Sequence, residues 1–465
     1  MPLPCYDGPD MIQDLIARYN DAFDDELAAD THGELGAALA RENLVFGGRP
    51  LCNVLRPQLL TEDEYASIQV SSAQVLSALR RAYDAMQADP ALREVVAPSA
   101  LEEAAMAVPT RYDGPTPFSR LDAFFSHDDG GLRFVEYNAE TPAGVGYEDV
   151  LGRIFLALEP VRRLAGQVKL RALEGSDSIL DVLLELHREA GVAQPPAIAV
   201  VDWADVPTKP EHEILARHFQ GRGVPAACGA PDELAYRSGT LYLCDAPVSI
   251  VYKRVLGSEF LEACGLEHPL VAALSDGAAV MANPFRCKLL HKKAVFALLS
   301  DERYAHLYTE AERRAIGRHV PWTRRVEDRR TTFGPATVDL LPWADAHREW
   351  LVLKPNDDYG GRGVVLGWEV DGPTWARALA DGLSSPAVVQ ERIATTPEDF
   401  PVWDGRALAI EPRLVDLDPF VYRGAAVHGL LTRLSAGALL NVSAGAGSVA
   451  PTFVVDGPQS GPPRS

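Results

Sequence analysis

Ser119–Asn138 reads SRLDAFFSHDDGGLRFVEYN. The run predicts two short strands, Ser119–Ser126 and Leu132–Asn138, joined by the turn His127-Asp128-Asp129-Gly130-Gly131, because glycine supplies the positive φ that tight turns require. Side chains alternate faces along a strand, so Arg120 and Asp122 share a face of the first strand, and Glu136 and Asn138 a face of the second. A hairpin symmetric about Asp129 sets Asp122 opposite Glu136 and Arg120 opposite Asn138; a one-residue bulge would undo that register. Carboxylates directly opposite each other destabilise a sheet unless a cation lies between them. Asp, Glu and an Asn carbonyl offer such a cation only oxygen, which suits Mg²⁺ or Mn²⁺. A solvated surface hairpin is the competing reading of these four residues taken alone.

The surrounding chain is long enough, at 465 residues, for two or three domains with substantial cores. Its 47% hydrophobic and 23% charged content is that of a soluble globular enzyme. The start, MPLPCYDGPD, lacks a basic region followed by an apolar one, and no apolar run reaches the length of a membrane span. Six cysteines (Cys5, Cys52, Cys228, Cys244, Cys264, Cys287) form no C-x-x-C pair, so neither a disulfide framework nor a zinc site is expected, and a cytoplasmic location fits. The net charge of −21 argues against nucleic acid as a partner. Only Lys169, Lys209, Lys253, Lys288, Lys292, Lys293 and Lys354 are lysine among 44 basic residues. A chain so rich in Arg keeps Lys where a compact ammonium matters, and five of the seven lie between 253 and 354.

Residues 1–107 read as helical. Met11, Leu15, Ile16, Tyr19 and Phe23 have helical spacing within 10–30, and Thr61-x-x-Glu64 and Ser99-x-x-Glu102 are capping boxes. This segment shows no chemistry and reads as a packing segment or substrate wall. After the hairpin, Thr141–Gly146 opens a helix over 148–164, a loop suited to an anion. Ser178–Ala190 and Glu211–Phe219 read as helices alternating with strands Ala197–Val201, Thr240–Leu243 and Val248–Tyr252. That alternation predicts a Rossmann-like α/β unit with a largely parallel sheet. Lys253 and Arg254 end one of its strands, where a ligand or solvent would meet them.

Cys287–Asp301 reads as one helix, with Lys293 among apolar neighbours and Lys288 and Lys292 equally readable as surface charges. Leu351–Trp368 reads as strand, loop and strand, with Lys354 beside Gly360, Gly361 and Gly363. A Lys next to glycines that admit close backbone approach can cradle phosphate, although a plain hairpin reads the same way and the P-loop pattern is absent. Ala387–Ile393 is a strand turning polar at Gln390 and Glu391, an edge able to offer backbone groups to an adenine and a carboxylate to a ribose. Strands over Gly429–Leu434 and Ala438–Val442 follow. Arg433 stands in an apolar strand, where an unpaired charge is expensive, so it requires an anionic partner. The tail, Asp456–Ser465, is Pro/Gly/Ser-rich and expected to be disordered.

Together these pieces resemble the ATP-grasp superfamily, in the circularly permuted order of glutathionylspermidine synthase and related ligases. The resemblance covers roughly 110–455. It implies an α/β (α+β) ATP-grasp fold divided into a helical segment (1–107), an α/β region with the metal hairpin and a pre-ATP-grasp-like unit (108–280), a nucleotide-binding region with a Gly-rich lid (281–455) and the tail. It implies ATP with Mg²⁺ or Mn²⁺ as cofactors, Asp122, Glu136 and Asn138 as metal ligands, and Thr141-Pro142 as the family's T-P continuation. Lys293, Lys354, Gly360, Gly361, Gly363, Gln390 and Glu391 are the implied nucleotide contacts, and Arg120 and Arg433 the implied stabilisers of charge at the reacting groups. The family's Asn before the helix lysine is His291 here, so Lys292 and Lys293 both stand as the nucleotide lysine, while Lys288 is expected to matter little. The implied activity is ATP-dependent carboxylate–amine ligation through an acylphosphate, on small-molecule acids and amines, with no nucleic acid or membrane as partner. A phosphotransferase on the same scaffold and a non-catalytic nucleotide-binding module are the alternatives. The acid, the amine and the oligomeric state stay open.

Overall fold

A computed structural model describes residues 9–127, 130–437 and 447–458. Both capping boxes form: Thr61 and Ser99 accept from the N–H three residues on, and Glu64 and Glu102 accept from the cap N–H in return. They open the helices Glu62–Ala88 and Ala100–Ala105. The expected helix over 10–30 is two helices, Pro9–Asp21 and Asp25–Arg41, because Asp24 is extended and caps the second by accepting from Leu27 N. The N-terminal segment is not purely helical. Its strand Gln58–Thr61 pairs in parallel with Thr452–Pro458, which also pairs with Val168–Ala172. Residues 456–458 of the tail are therefore strand, and 459–465 lie outside the described residues. Among the described residues no helix is long and apolar enough to cross a membrane.

The alternating middle of the chain builds a parallel sheet in the order Val280–Ala282, Ile250–Lys253, Ile198–Val201, Ala226–Gly229. Helices Ser176–Ala190 and Lys209–Gly221 belong to this unit; the first ends at Gly191 in the left-handed region. A second, antiparallel sheet runs Thr323–Arg325, Ala387–Glu391, Leu351–Pro355, Val365–Leu366. Its core includes the fully buried Trp375 of helix Gly372–Ser384. Ala387–Glu391 is interior to this sheet, so the expectation of an edge at Gln390 and Glu391 is corrected: Glu391 N already donates to Trp322 O.

A further sheet pairs the 118–138 hairpin with strands from 398–449. Its order is Gly447–Val449, Ala426–Ser435, Leu408–Tyr422, Phe118–Phe125, Leu132–Asn138, with Glu398–Trp403 also on Leu408–Tyr422. The predicted hairpin is present, with Arg120 opposite Asn138 and Asp122 opposite Glu136. Beyond that pair a bulge intervenes, since Ala123 faces Phe134 and leaves Val135 unpaired. Leu121, Ala123, Phe134 and Tyr137 are all buried. A one-residue slip would exchange them with the charged set, and each large apolar side chain is worth about 1.5–3 kcal/mol when buried. Asp128 and Asp129 of the turn, and the expected strand 438–442, lie outside the described residues.

Cys287–Asp301 is not one helix. Lys288–His291 and Val295–Ser300 are separate helices, broken at Lys292, whose ψ is 132°. The cause is tertiary: Lys293 N donates to Asn356 O and Ala294 N to Asn356 Oδ1. The intruding Asn356 takes amides that a continuous helix would have used internally.

Candidate active site

Every residue anticipated for the site except Gly363 lines one cavity of about 410 Å³, built by strands of the two antiparallel sheets, the turn at Lys293 and the glycine loop. Among the described residues that line it, six carry positive charge and five negative, a cationic balance in a chain of net charge −21. Gly363 serves the turn instead. Its φ is +66°, and a Cβ there would lie 2.7 Å from Pro355 Cγ.

Arg433 has the partners its place in the strand demanded. Its Nη2 lies 2.8 Å from Asp122 Oδ2, 2.6 Å from Asp416 Oδ2 and 2.9 Å from Asp418 Oδ2. Arg120 binds Asp122 through two parallel hydrogen bonds of 2.8 and 3.0 Å, and donates to Ala143 O. Burial alone would hold Asp122 neutral. Arg120 and Arg433, helped by the Asn138 amide donating at 2.8 Å, overcome that and hold its carboxyl well below the usual range. Asp416 and Asp418 were not anticipated. Burial pushes Asp416 up to about 6 against the pull of Arg433, and raises Asp418 further. Their signal was present in V-D-L-D-P: two carboxylates two residues apart on one face of a strand that faces Arg433 in register.

Glu136 pairs with Lys293 at 3.2 Å. Burial works against its charge, but Lys293 and Lys354 keep its carboxyl below the ordinary value. Lys354 Nζ donates to Gln390 Oε1 at 2.8 Å and to Val135 O at 3.1 Å, a carbonyl that the hairpin bulge leaves out of the ladder. Gln390 is oriented in turn by donating to Thr323 Oγ1. Lys292 turns away to Asp357 and Glu102, at 2.8 and 3.0 Å; of the two candidates, Lys293 is the one in the cavity.

Several expectations fail for one shared reason: the protein already supplies the counter-charge. The 141–146 loop is no open anion site, because the Glu211 carboxylate accepts from Gly144 N and Gly146 N. Lys253 is buried against Glu140, and Arg254 against Glu211, 3.6 Å away, and Pro142 O. Lys288 is no surface charge. It lies between Glu140 and Asp357 at 3.1 and 2.7 Å, carboxylates that Lys253 and Lys292 also hold.

Among the described residues no cluster of three or more His, Cys, Asp or Glu is arranged to hold a metal ion by itself. Asp122, Glu136 and Asn138 supply two carboxylates and one amide carbonyl to the cavity. That set suits Mg²⁺, which takes one or two carboxylates and completes its octahedron with water and substrate phosphates.

No family model matches the chain. It is 26% identical over 337 residues to a protein with the provisional name glutamate–cysteine ligase 2-2 from Frankia casuarinae. Against glutamate–cysteine ligase 2-3 of Frankia alni, likewise provisionally named, it is 27% identical over 342 residues. Each match covers 69% of this chain and 36% of the relative, so the chain spans about a third of the length of these relatives. In structure it aligns over 98% of its length, and 100% of the other chain, with a glutathione synthetase-like effector from Globodera pallida in its apo form, at TM-score 0.59 and 14% identity.

Proposed function

We propose that this glutathione-synthetase-like ATP-grasp chain joins a carboxylic acid to an amine, with ATP cleaved to ADP and phosphate. The observation that carries the reading is convergence: two lysines, a glycine-rich loop, opposed carboxylates and two arginines reach one cavity from separate stretches of chain. The order is permuted in this reading, since the metal-binding hairpin at 120–138 precedes the lysines at 293 and 354. Lys293, Lys354 and the 360–363 loop hold the triphosphate, while Gln390 and Glu391 face the rest of the nucleotide. Asp122, Glu136 and Asn138 would hold Mg²⁺ or Mn²⁺, which supplies charge neutralisation at the phosphates. The acid's carboxylate attacks the γ-phosphorus to give an acylphosphate and ADP. The amine then attacks the acyl carbon and phosphate leaves. Arg120 and Arg433 face the charge that develops on the acyl and phosphoryl oxygens.

Amine-dependent ADP release, screened with pools of amino acids, peptides and polyamines, tests this. With ¹⁸O in the acid's carboxylate, one label should appear in the phosphate. A phosphorylated acid released without an amine would mark a phosphotransferase. Unlabelled phosphate, with AMP and pyrophosphate as products, would mean adenylation and end the proposal.

Lys354 gives a second test. Burial lowers it to about 8, with Glu136 opposing the shift. It is therefore cationic below that pH and loses its charge as pH rises through it. Phosphate favours the charged form, so ATP binding should take up a proton above pH 8 and weaken as pH increases further. Calorimetry at pH 8.5 in two buffers of different ionisation enthalpy should give different heats, and equal heats would remove Lys354 from the phosphates. Lys354→Ala should cost about 1.5–3 kcal/mol of ATP affinity.

A further inference from the structure

Two residues beyond Lys354, Asn356 is 3% exposed and every polar group it has is used. Its N donates to Pro386 O at 2.9 Å, and its O accepts from Lys293 N at 2.9 Å. Its Oδ1 accepts from Ala294 N at 2.9 Å, and its Nδ2 donates to Val96 O at 2.8 Å. Lys293 and Ala294 follow directly on the break that stops the helix at Lys292. One residue thus ends the strand that carries Lys354 and anchors the turn that presents Lys293. Its neighbour Asp357 takes Lys288 and Lys292, at 2.7 and 2.8 Å, which leaves Lys293 to face Glu136.

Such an anchor has a physical purpose. Lys293 and Lys354 both line the cavity with Glu136, and like charges repel. Flexible side chains of like charge keep a fixed spacing only if the backbone beneath them is held. From this geometry we infer that Asn356 is a positioning residue. It sets the separation of the two lysines across the cavity and ties both to the N-terminal segment through Val96. The inference rests on the nucleotide-binding reading above.

The test is a double-mutant cycle read as the calorimetric Kd for ATP in wild type, Asn356→Ala, Lys293→Ala and the double variant. Asn356→Ala removes the Oδ1 and Nδ2 contacts and should raise Kd about five- to tenfold. In the Lys293→Ala background it should add little, because its effect passes through that lysine. Unfolding midpoints measured alongside should fall equally in both backgrounds. Asn356→Asp keeps the acceptor for Ala294 N and should retain more affinity than Asn356→Ala; it carries the cycle if the alanine variant does not fold. Additive losses, or wild-type affinity in Asn356→Ala, would overturn the inference while leaving the nucleotide reading intact. No ATP binding by the wild-type chain would overturn both.

Discussion

Arg433→Ala should destabilise the fold by about 3–5 kcal/mol, because removing one partner of a buried ion cluster leaves uncompensated charge. The cluster here is severe: Asp122, Asp416 and Asp418 are each at most 5% exposed in their side chains, and all three touch the one guanidinium. The loss should depend on pH in a defined direction. Asp416 and Asp418 already have raised values in the intact protein, Asp416 at about 6, and losing Arg433 raises both further. A carboxyl whose folded value exceeds its unfolded value, about 3.9, imposes no cost below the unfolded value. The cost accumulates as pH rises from the unfolded to the folded value and is complete above it. Urea unfolding of both proteins at pH 4.5 and pH 8 should therefore show a deficit that is small in acid and large at pH 8. An equal deficit at both pH values would assign the loss to packing of the Arg stem. Arg433→Lys should fall between, since an ammonium lacks the planar fork that reaches several carboxylates at once.

This cluster also shows which parts of the site were legible in sequence. Strand alternation placed Asp122 opposite Glu136, and the cost of a lone buried charge required partners for Arg433; both rest on local rules, and both hold. The bulge at Val135 lies between this pair and the turn, and it sets the register: continued unbroken from Ala123 opposite Phe134, the ladder would place Asp122 opposite Val135, and the extra residue moves Glu136 into that position. What stayed hidden depends on residues distant in the chain. Nothing in CKLLHKKAVFALLSD announces a break at Lys292, because the acceptors that make the break come from Asn356. Glu211, which occupies the 141–146 loop, lies on a helix of the parallel-sheet unit. Local rules gave the parts, while the protein's own counter-ions decided which charges stayed available.

Glu136→Gln should separate binding from turnover more sharply than any other change at the site. The amide is isosteric and the side chain is 22% exposed, so stability should change by about 1 kcal/mol. Turnover should fall about a hundred- to a thousandfold, the scale on which a preorganised electrostatic group is lost. Binding should move the other way. Glu136 holds Lys293 at 3.2 Å and is the negative charge nearest both lysines. Its neutral replacement leaves Lys293 held by Asp358 O alone and removes repulsion of the phosphates, so ATP without divalent metal should bind at least as tightly as to wild type. Wild-type turnover should require Mg²⁺ or Mn²⁺ and stop in excess EDTA. Calorimetry with ATP in EDTA, set against turnover with Mg²⁺, reads the two effects apart. Undiminished turnover in Glu136→Gln would remove Glu136 from the metal site. A large loss of metal-free ATP affinity in that variant would instead show that Glu136 acts by orienting Lys293, since only a lysine that needs its carboxylate partner would bind phosphate worse once freed from it.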